Sequence, residues 1–348
     1  MAVSRNLAEI INDASYLAHR YDEMTDAFRL LPVPRDVHRQ CTFITDEHLP
    51  DIENFSLHRR LELQAHNPET APVHFIFHSA YCCSTMMARA FDIEGVSMGL
   101  KEPVVLNDMI GWRRRGADQA KWHEVLDQSL DLLSRPFGDD RAVVIKPSNI
   151  CTPLAIPMLE ARPKAKALLL YAPIESFLKS IAKKEMWGRI WVRDVLIGTR
   201  QDGYFIDGFE ADDLLRLTDL QVAAIGWLSQ HAAFARIIDT IGEERVKALD
   251  SESFLGQPDD TIMALSKQFE LNLDDEKLQA ILSGPAFTSH SKLDQNRDRE
   301  IFDAKTRQAE QNQMMELHGK EIEMVAQWAR AVADSQGIKM NIGAELIS

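Results

Sequence analysis

The chain has 348 residues, of which 45% are hydrophobic, and its 53 acidic against 39 basic side chains give a formal net charge of −14. This length fits one large α/β domain with additions, or two smaller domains. The acidic balance excludes general binding to nucleic acids or anionic membranes, which depends on basic surfaces. No run reaches the ~18 apolar residues of a membrane span. The four cysteines are too few for a disulfide scaffold, so we expect a cytoplasmic protein.

The N-terminal part differs in pattern from the rest. Residues 5–30 carry apolar side chains at helical spacing and predict one or two helices, whereas residues 31–72 look irregular. We therefore expect residues 1–70 to form a helical and irregular extension packed on a core domain at 71–335.

The core segment alternates short apolar runs with helical patterns. The runs predict strands at 73–77, 96–100, 142–145, 165–171 and 246–249. The predicted helices cover 118–134, 153–161, 174–184, 212–241, 259–269 and 308–336, with a polar loop at 283–300. This alternation predicts a three-layer α/β fold with a central parallel sheet, an N-terminal helical extension and a C-terminal helix.

The loop after the first core strand is the most informative segment. Cys82, Cys83, Ser84 and Thr85 are small, two of them carry hydroxyl groups, and a helix begins at about Thr85. Backbone N–H groups at a helix start attract anions, so the loop fits a phosphate cradle, although Ser and Thr also cap ordinary helices. It lacks the glycines and lysine of the common nucleotide-binding loop.

Parallel sheets bind ligands at the carboxyl ends of their strands. Five chemically useful side chains fall there in the predicted sheet: His78, Lys101, Glu102, Lys146 and Tyr171. Transfer of a charged group needs a cation near the transferred atoms and a base for the acceptor hydroxyl. Lys146 is the candidate cation, and His78 or Glu102 is the candidate base. An ordinary strand-end lysine, a structural histidine and a loop carboxylate remain the alternatives.

The ordered set of motifs over roughly residues 73–330 resembles the bacterial sulfotransferase family. Its members have a P-loop-like α/β fold and use 3′-phosphoadenosine 5′-phosphosulfate. The loop at 81–87 resembles the family's 5′-phosphosulfate loop, and Lys146-Pro147 resembles a Lys-x-Pro strand end. Three further segments also resemble the family. They are the strand and helix at 163–180, the helix and strand at 227–255, which end in Ser-Glu-Ser-Phe-Leu, and the His-Ser-Lys sequence at 290–292.

The resemblance implies transfer of a sulfuryl group from that donor, without a metal, to a hydroxyl of a small or peptidic acceptor. The implied donor-binding positions are Cys82, Cys83, Ser84, Thr85, Tyr171, Ser180, Arg193 and Lys292. The implied catalytic residues are Lys146, His78 and Glu102. Nothing in the resemblance requires nucleic acid or a membrane, and a homodimer is compatible with it.

Three positions depart from the family pattern. Tyr81 replaces the basic residue that opens the loop, Cys83 replaces its glycine, and Tyr171 replaces the arginine that grips the 3′-phosphate. Lys146, Lys292 or Arg193 could compensate for the missing cations. These departures keep open a second function, a non-catalytic protein that binds a nucleotide or a phosphorylated metabolite.

Two smaller alternatives each concern one pair of side chains. Arg189 and Arg193 lie four residues apart and would share one face of a helix, either as an anion clamp or paired with acidic neighbours. Cys82 and Cys83 stand at a helix start, where a thiol can become reactive, so a redox role is a third hypothesis. No further ligands at metal-binding spacing accompany them.

Overall fold

The computed structural model describes residues 6–288 and 304–347, with no side-chain description for 211 and 304–311. The strands are β1 (Tyr16–Asp22), β2 (Ala27–Pro32), β3 (Ser56–Arg59), β4 (Val73–His78), β5 (Ser97–Lys101), β6 (Ala142–Lys146), β7 (Ala167–Tyr171) and β8 (Val246–Asp250). The helices up to the third core strand are α1 (Leu7–Asn12), α2 (Arg35–Gln40), α3 (Arg60–Gln64), α4 (Ser84–Ala90), α5 (Val105–Arg114) and α6 (Gln119–Leu133).

The second half is mostly helical. A 3₁₀ helix, Asn149–Leu154, follows β6. The α-helices after it are α7 (Ala155–Ala161), α8 (Ile174–Lys183), α9 (Glu185–Gln201), α10 (Ala211–Arg216), α11 (Asp219–Ile241), α12 (Ser251–Gly256), α13 (Pro258–Gln268), α14 (Asp275–Leu282), α15 (Pro285–Thr288) and α16 (Ala304–Gln336).

The central sheet has five parallel strands in the order β5-β6-β4-β7-β8 and is flanked by helices. Every residue of β4, β5, β6 and β7 is buried, which explains their continuous apolar runs. The predicted α/β class with a central parallel sheet is confirmed. The chain leaves β4 for the edge strand β5, returns to β6 and then crosses to β7. The end of β4 therefore lies at the topological switch point, where such sheets bind ligands.

The prediction of helix throughout residues 5–30 is wrong after residue 12. Strands β1, β2 and β3 form an antiparallel sheet, and β1 and β2 make a hairpin. The turn is stabilised by Asp22, whose carboxylate accepts from the Met24 N–H and the Thr25 hydroxyl. Apolar side chains spaced by three and four in residues 7–17 extend from the first residue of α1 to the start of β1, which produced the helical pattern.

The prediction of one helix over 212–241 is also wrong, because the chain breaks at residues 217–218. Thr218 caps α11, and its side chain and that of Gln221 accept reciprocally from each other's backbone N–H groups. The other core helices and strands lie within a few residues of their predicted bounds, and α16 includes the predicted 308–336 helix. Residues 31–72, which looked irregular, contain two short helices and β3.

The N-terminal extension covers the β5 edge of the central sheet. The Ile44 N–H donates to the Lys101 carbonyl, and the Val104 N–H donates to the Ile44 carbonyl. The Lys101 ammonium group is buried and donates to the carbonyls of His38 and Cys41. These bonds fix residues 38–44 across the ends of β5 and β6, next to the predicted site.

In the described part of the chain, no helix is both long and apolar enough to cross a membrane.

Candidate functional site

The carboxyl ends of the five parallel strands bring the predicted edge residues into one row. Along the sheet the last residues of the strands are Lys101, Lys146, His78, Tyr171 and Asp250. Lys101 is in register with Lys146, and Tyr171 is in register with Asp250. A cation, a histidine and a phenol therefore surround the switch point at the end of β4.

Lys146 and Glu102 form an ion pair at the end of the two neighbouring strands. The lysine ammonium group donates to Glu102 Oε1. The Lys146 side chain is 0% exposed, whereas that of Glu102 is 16% exposed. Glu102 has a left-handed backbone conformation with φ of 56°, and its N–H donates to the Lys146 carbonyl. Both the side chain and the backbone of Glu102 are thus held by Lys146.

His78 stands beside this pair, and the backbone engages both of its ring nitrogens. Its Nε2 is 3.1 Å from the Pro147 carbonyl, which can only accept, so this nitrogen carries the proton. Its Nδ1 accepts from the Ala80 N–H at 3.1 Å. Nε2 also lies 3.8 Å from Glu102 Oε1. In this arrangement His78 fixes the start of the loop and the turn after β6.

The loop from Ser79 to Cys83 has a strained backbone. Ala80, Tyr81 and Cys83 have φ values of 66°, 53° and 62°, in the left-handed region that favours glycine. Cys83 occupies the position where the resembled motif has a glycine, the residue that adopts this conformation most readily. Strained backbone that the surrounding structure maintains is typical of functional loops.

The loop is anchored to β7 by its small side chains. The Cys82 thiol donates to the Leu170 carbonyl at 3.3 Å, and Ser79 Oγ accepts from the Ala172 N–H at 3.4 Å. Ser84 and Thr85 begin α4 and are buried, with 6% and 4% exposure. Burial raises the pKa of Cys82 to about 12, so its thiol stays protonated and the redox hypothesis gains no support.

Tyr81 turns away from the sheet edge. Its ring packs edge-on against Trp191 at 5.4 Å between ring centroids and lies 6.2 Å from Phe177. Burial raises its pKa to about 12, so it is neutral at physiological pH. The position that carries a basic residue in the family therefore contributes packing to α8 and α9.

Tyr171, which ends β7, is also buried and neutral. Its ring meets His231 edge-on at 4.8 Å, and burial, followed by nearby Asp250 and Glu345, raises its pKa to about 12. A neutral phenol can hydrogen-bond a phosphate but cannot neutralise it. Burial also lowers the pKa of His231 to about 3, so that side chain adds no cation.

Two of the three remaining predicted donor-binding residues, Ser180 and Arg193, already have hydrogen-bond partners within the fold. The Ser180 hydroxyl donates to the Ser176 carbonyl one turn earlier in α8, at 2.9 Å. Arg193 donates twice to Asp219 at the start of α11, and Arg189 lies 3.4 Å from the same carboxylate. The two arginines do share a helix face, but they hold an acidic partner there. Lys292 lies outside the described residues.

Sequence reasoning missed Phe43. Its ring lies 4.9 Å from the Lys146 ammonium group, on the segment that Lys101 holds across the sheet edge. No local pattern marks this residue, because its position depends on contacts between segments 60 to 63 residues apart. The ring covers the lysine and makes the ion pair a largely enclosed one.

Among the residues that the structure describes, no cluster of three or more His, Cys, Asp or Glu side chains could hold a metal ion.

We compared the chain with known proteins. It matches no family model and no curated protein sequence. Among solved structures it is similar to a sulfotransferase domain from the curacin biosynthetic pathway, with 14% identity and a TM-score of 0.40 over 64% of this chain and 83% of that one. It is also similar to the sulfotransferase domain of the Synechococcus PCC 7002 olefin synthase, with 11% identity and a TM-score of 0.37 over 72% and 96%. At these TM-scores the roles of individual residues rest on the geometry described above.

Proposed function

We propose that this chain is a sulfotransferase-like enzyme that moves a sulfuryl group from 3′-phosphoadenosine 5′-phosphosulfate to a hydroxyl acceptor. The observation that carries the proposal is the Lys146–Glu102 pair at the switch point, beside a strained loop that opens a helix. This combination supplies a buried cation, a carboxylate and a row of backbone N–H groups at one place.

In this proposal the three groups have separate roles. Lys146 neutralises charge on the transferred group, where low exposure strengthens the interaction. Glu102 is the only one of the three whose side chain reaches solvent appreciably, so it accepts the proton of the acceptor hydroxyl. His78, with both ring nitrogens bonded to backbone groups, positions the loop. The acceptor oxygen forms the new bond to sulfur as the bond from sulfur to the donor's phosphate oxygen breaks.

The donor-binding side follows from the loop and the strand next to it. Residues 82–85 would hold the 5′ end through their N–H groups and the Ser84 and Thr85 hydroxyls. Tyr171 would face the 3′-phosphate as a neutral hydrogen-bond donor. Ser180 would donate to it only by releasing the Ser176 carbonyl, and Arg193 would reach it only by leaving Asp219. Lys292 would add a cation from the His-Ser-Lys segment. We propose a cytoplasmic enzyme without a metal.

A transfer assay tests these roles. The protein is incubated with the donor and a panel of hydroxyl compounds, and formation of adenosine 3′,5′-bisphosphate is followed. Glu102→Gln and Lys146→Met should each lower the rate by about a hundredfold or more. Lys164→Ala, at an exposed lysine, is the matched control and should change nothing. Folding of each variant is checked by its melting temperature. Wild-type rates in folded Glu102→Gln and Lys146→Met would refute the assignment.

The second candidate is a protein that binds a nucleotide or phosphorylated metabolite on the same fold without catalysis. The observations that favour it are the neutral Tyr81 and Tyr171 and the pairing of Arg193 with Asp219, which leave few cations for the transition state. Donor binding without product from any acceptor would support it. Measurable turnover would exclude it.

A further inference from the structure

A cavity with a volume of about 570 Å³ has none of the strand-end residues in its lining. Its walls come from the turn between α5 and α6, from the 3₁₀ helix and α7, from the turn after α9, and from the middle of α11. This volume is within the range of small-molecule sites.

Two arginines face this cavity without a carboxylate partner in the described part of the chain. Arg113 donates only to the Pro153 carbonyl, at 3.2 Å, and lies 5.9 Å from the Trp122 ring. Arg236, on α11, forms no side-chain ion pair with any described residue. Other described arginines bind carboxylates, among them Arg20, Arg35, Arg60, Arg114, Arg162, Arg193 and Arg330. Arg135, Arg141 and Arg245 donate to backbone carbonyls instead.

The remaining lining residues are partly apolar and partly polar, which restricts the chemistry of a ligand that fits the cavity. The apolar part is formed by Pro153, Ile156, Pro157 and Ile237. The His123 ring donates from Nδ1 to the Gln119 carbonyl at 2.7 Å.

Three further side chains of the lining can form hydrogen bonds with hydroxyl groups of a ligand. Tyr204 is held neutral because burial raises its pKa to about 12, so its phenol can donate. Gln119 offers an amide, and Glu160 offers a carboxylate that forms no ion pair with the described residues. The carboxylate opposes a ligand with many negative charges but accepts hydrogen bonds from hydroxyl groups. The other acidic residue of the lining is Asp202, which forms a bidentate ion pair with the Arg114 guanidinium group.

We propose that this cavity binds a phosphorylated sugar or similar polyol. Arg113 and Arg236 hold the phosphate, since guanidinium groups match its oxygens in pairs. Tyr204, Gln119 and Glu160 bind the hydroxyls, and the apolar wall packs against the C–H faces of the ligand. The site is independent of the sulfuryl-transfer proposal, because none of its lining residues belongs to the strand-end cluster.

Calorimetric titration of the full chain with ribose 5-phosphate tests the proposal, with ribose and inorganic phosphate as comparison ligands. Saturable binding of ribose 5-phosphate should exceed that of either comparison ligand and should weaken as salt is added. Arg113→Gln and Arg236→Gln should each weaken it about tenfold or more, because each removes a charge-assisted hydrogen bond. Arg216→Gln, at an exposed arginine outside the cavity, is the matched control.

Three results would overturn the proposal. They are no saturable binding of ribose 5-phosphate, equal binding of ribose or of inorganic phosphate, and unchanged affinity in folded Arg236→Gln. Titration of the same Arg236→Gln protein with adenosine 3′,5′-bisphosphate should match wild type, which keeps this test separate from the test of the strand-end site.

Discussion

The Lys146 ammonium group donates to Glu102 Oε1 although no part of the lysine side chain reaches solvent. A buried cation needs such a partner, because its transfer out of water is costly unless a charge and hydrogen bonds replace the water. The phenyl ring of Phe43, 4.9 Å from the same ammonium group, encloses the pair further. We therefore expect substitutions in this pair to lower the stability of the fold as well as the proposed catalytic activity.

Removing one partner should cost more stability than removing both. Glu102→Ala leaves Lys146 buried and uncompensated, and we expect it to lower the free energy of unfolding by about 3 kcal/mol. The double variant Glu102→Ala, Lys146→Met should recover at least half of this loss, because the buried charge is gone. Urea unfolding measures both, and a double variant less stable than Glu102→Ala alone would contradict the interpretation.

Phe43 should control access to Lys146. In the wild type we expect Lys146 to resist acetylation by an amine reagent, whereas exposed lysines such as Lys164 react. Phe43→Ala removes the ring that covers the ammonium group and should raise Lys146 acetylation several-fold, as measured by peptide mapping. Phe55→Ala, at an exposed phenylalanine of the same extension, is the control. Equal protection of Lys146 in wild type and Phe43→Ala would show that another segment covers it.

Three buried histidines should make the fold sensitive to mild acid. Burial lowers the pKa of His38 and His231 to about 3 and that of His74 to about 4, from 6.5 when unfolded. Below the pKa of an unfolded histidine, the unfolded chain binds protons at these positions that the folded chain cannot bind. The contribution of the neutral histidines to the free energy of unfolding is therefore fully present above that pKa and is lost as the pH falls. Each histidine contributes a slope of about 1.4 kcal/mol per pH unit between its two pKa values.

Melting temperatures recorded from about pH 7 to about pH 4.5 measure this effect. His74→Phe, which can keep the stacking on Phe269, should show a shallower decline than wild type. His123→Phe, at an exposed histidine, should leave the slope unchanged. A wild-type melting temperature that stays constant over this range would contradict the buried neutral histidines.

Gly99 should be irreplaceable in the contact between β5 and α4. A Cβ atom at this position would lie 2.2 Å from the Ala88 carbonyl oxygen, which is backbone and cannot move aside. Gly99→Ala should therefore lower the free energy of unfolding by about 1–3 kcal/mol. Gly226→Ala, within α11, meets only a Leu196 methyl at 3.9 Å and should stabilise by up to about 1 kcal/mol. Equal stability of the two variants would contradict this packing.

The sequence predicted the central sheet because its strands are buried on both faces and read as unbroken apolar runs. It did not predict the β1–β2 hairpin, since apolar spacing over residues 7–17 is the same for a short helix followed by a strand. The row of strand-end residues was predictable because parallel strands place their carboxyl ends at one edge.

Contacts between distant segments were not predictable. Arg193 looked available, but its partner Asp219 lies 26 residues away and on another helix. Phe43 covers Lys146 only because the Lys101 ammonium group fixes residues 38–41 across the edge. The cysteine side chain at position 83 gave no signal for the left-handed φ, which is usual for glycine; only the glycine at this position of the resembled motif pointed to it.

The most direct test of the proposed function is calorimetric titration with adenosine 3′,5′-bisphosphate, with ATP as the comparison ligand. Micromolar binding of the bisphosphate, a weak response to ATP, and loss of bisphosphate affinity in Ser84→Ala would be the predicted result. No binding of the bisphosphate, or equal binding of ATP, would contradict a donor site at residues 82–85 and favour the non-catalytic alternative.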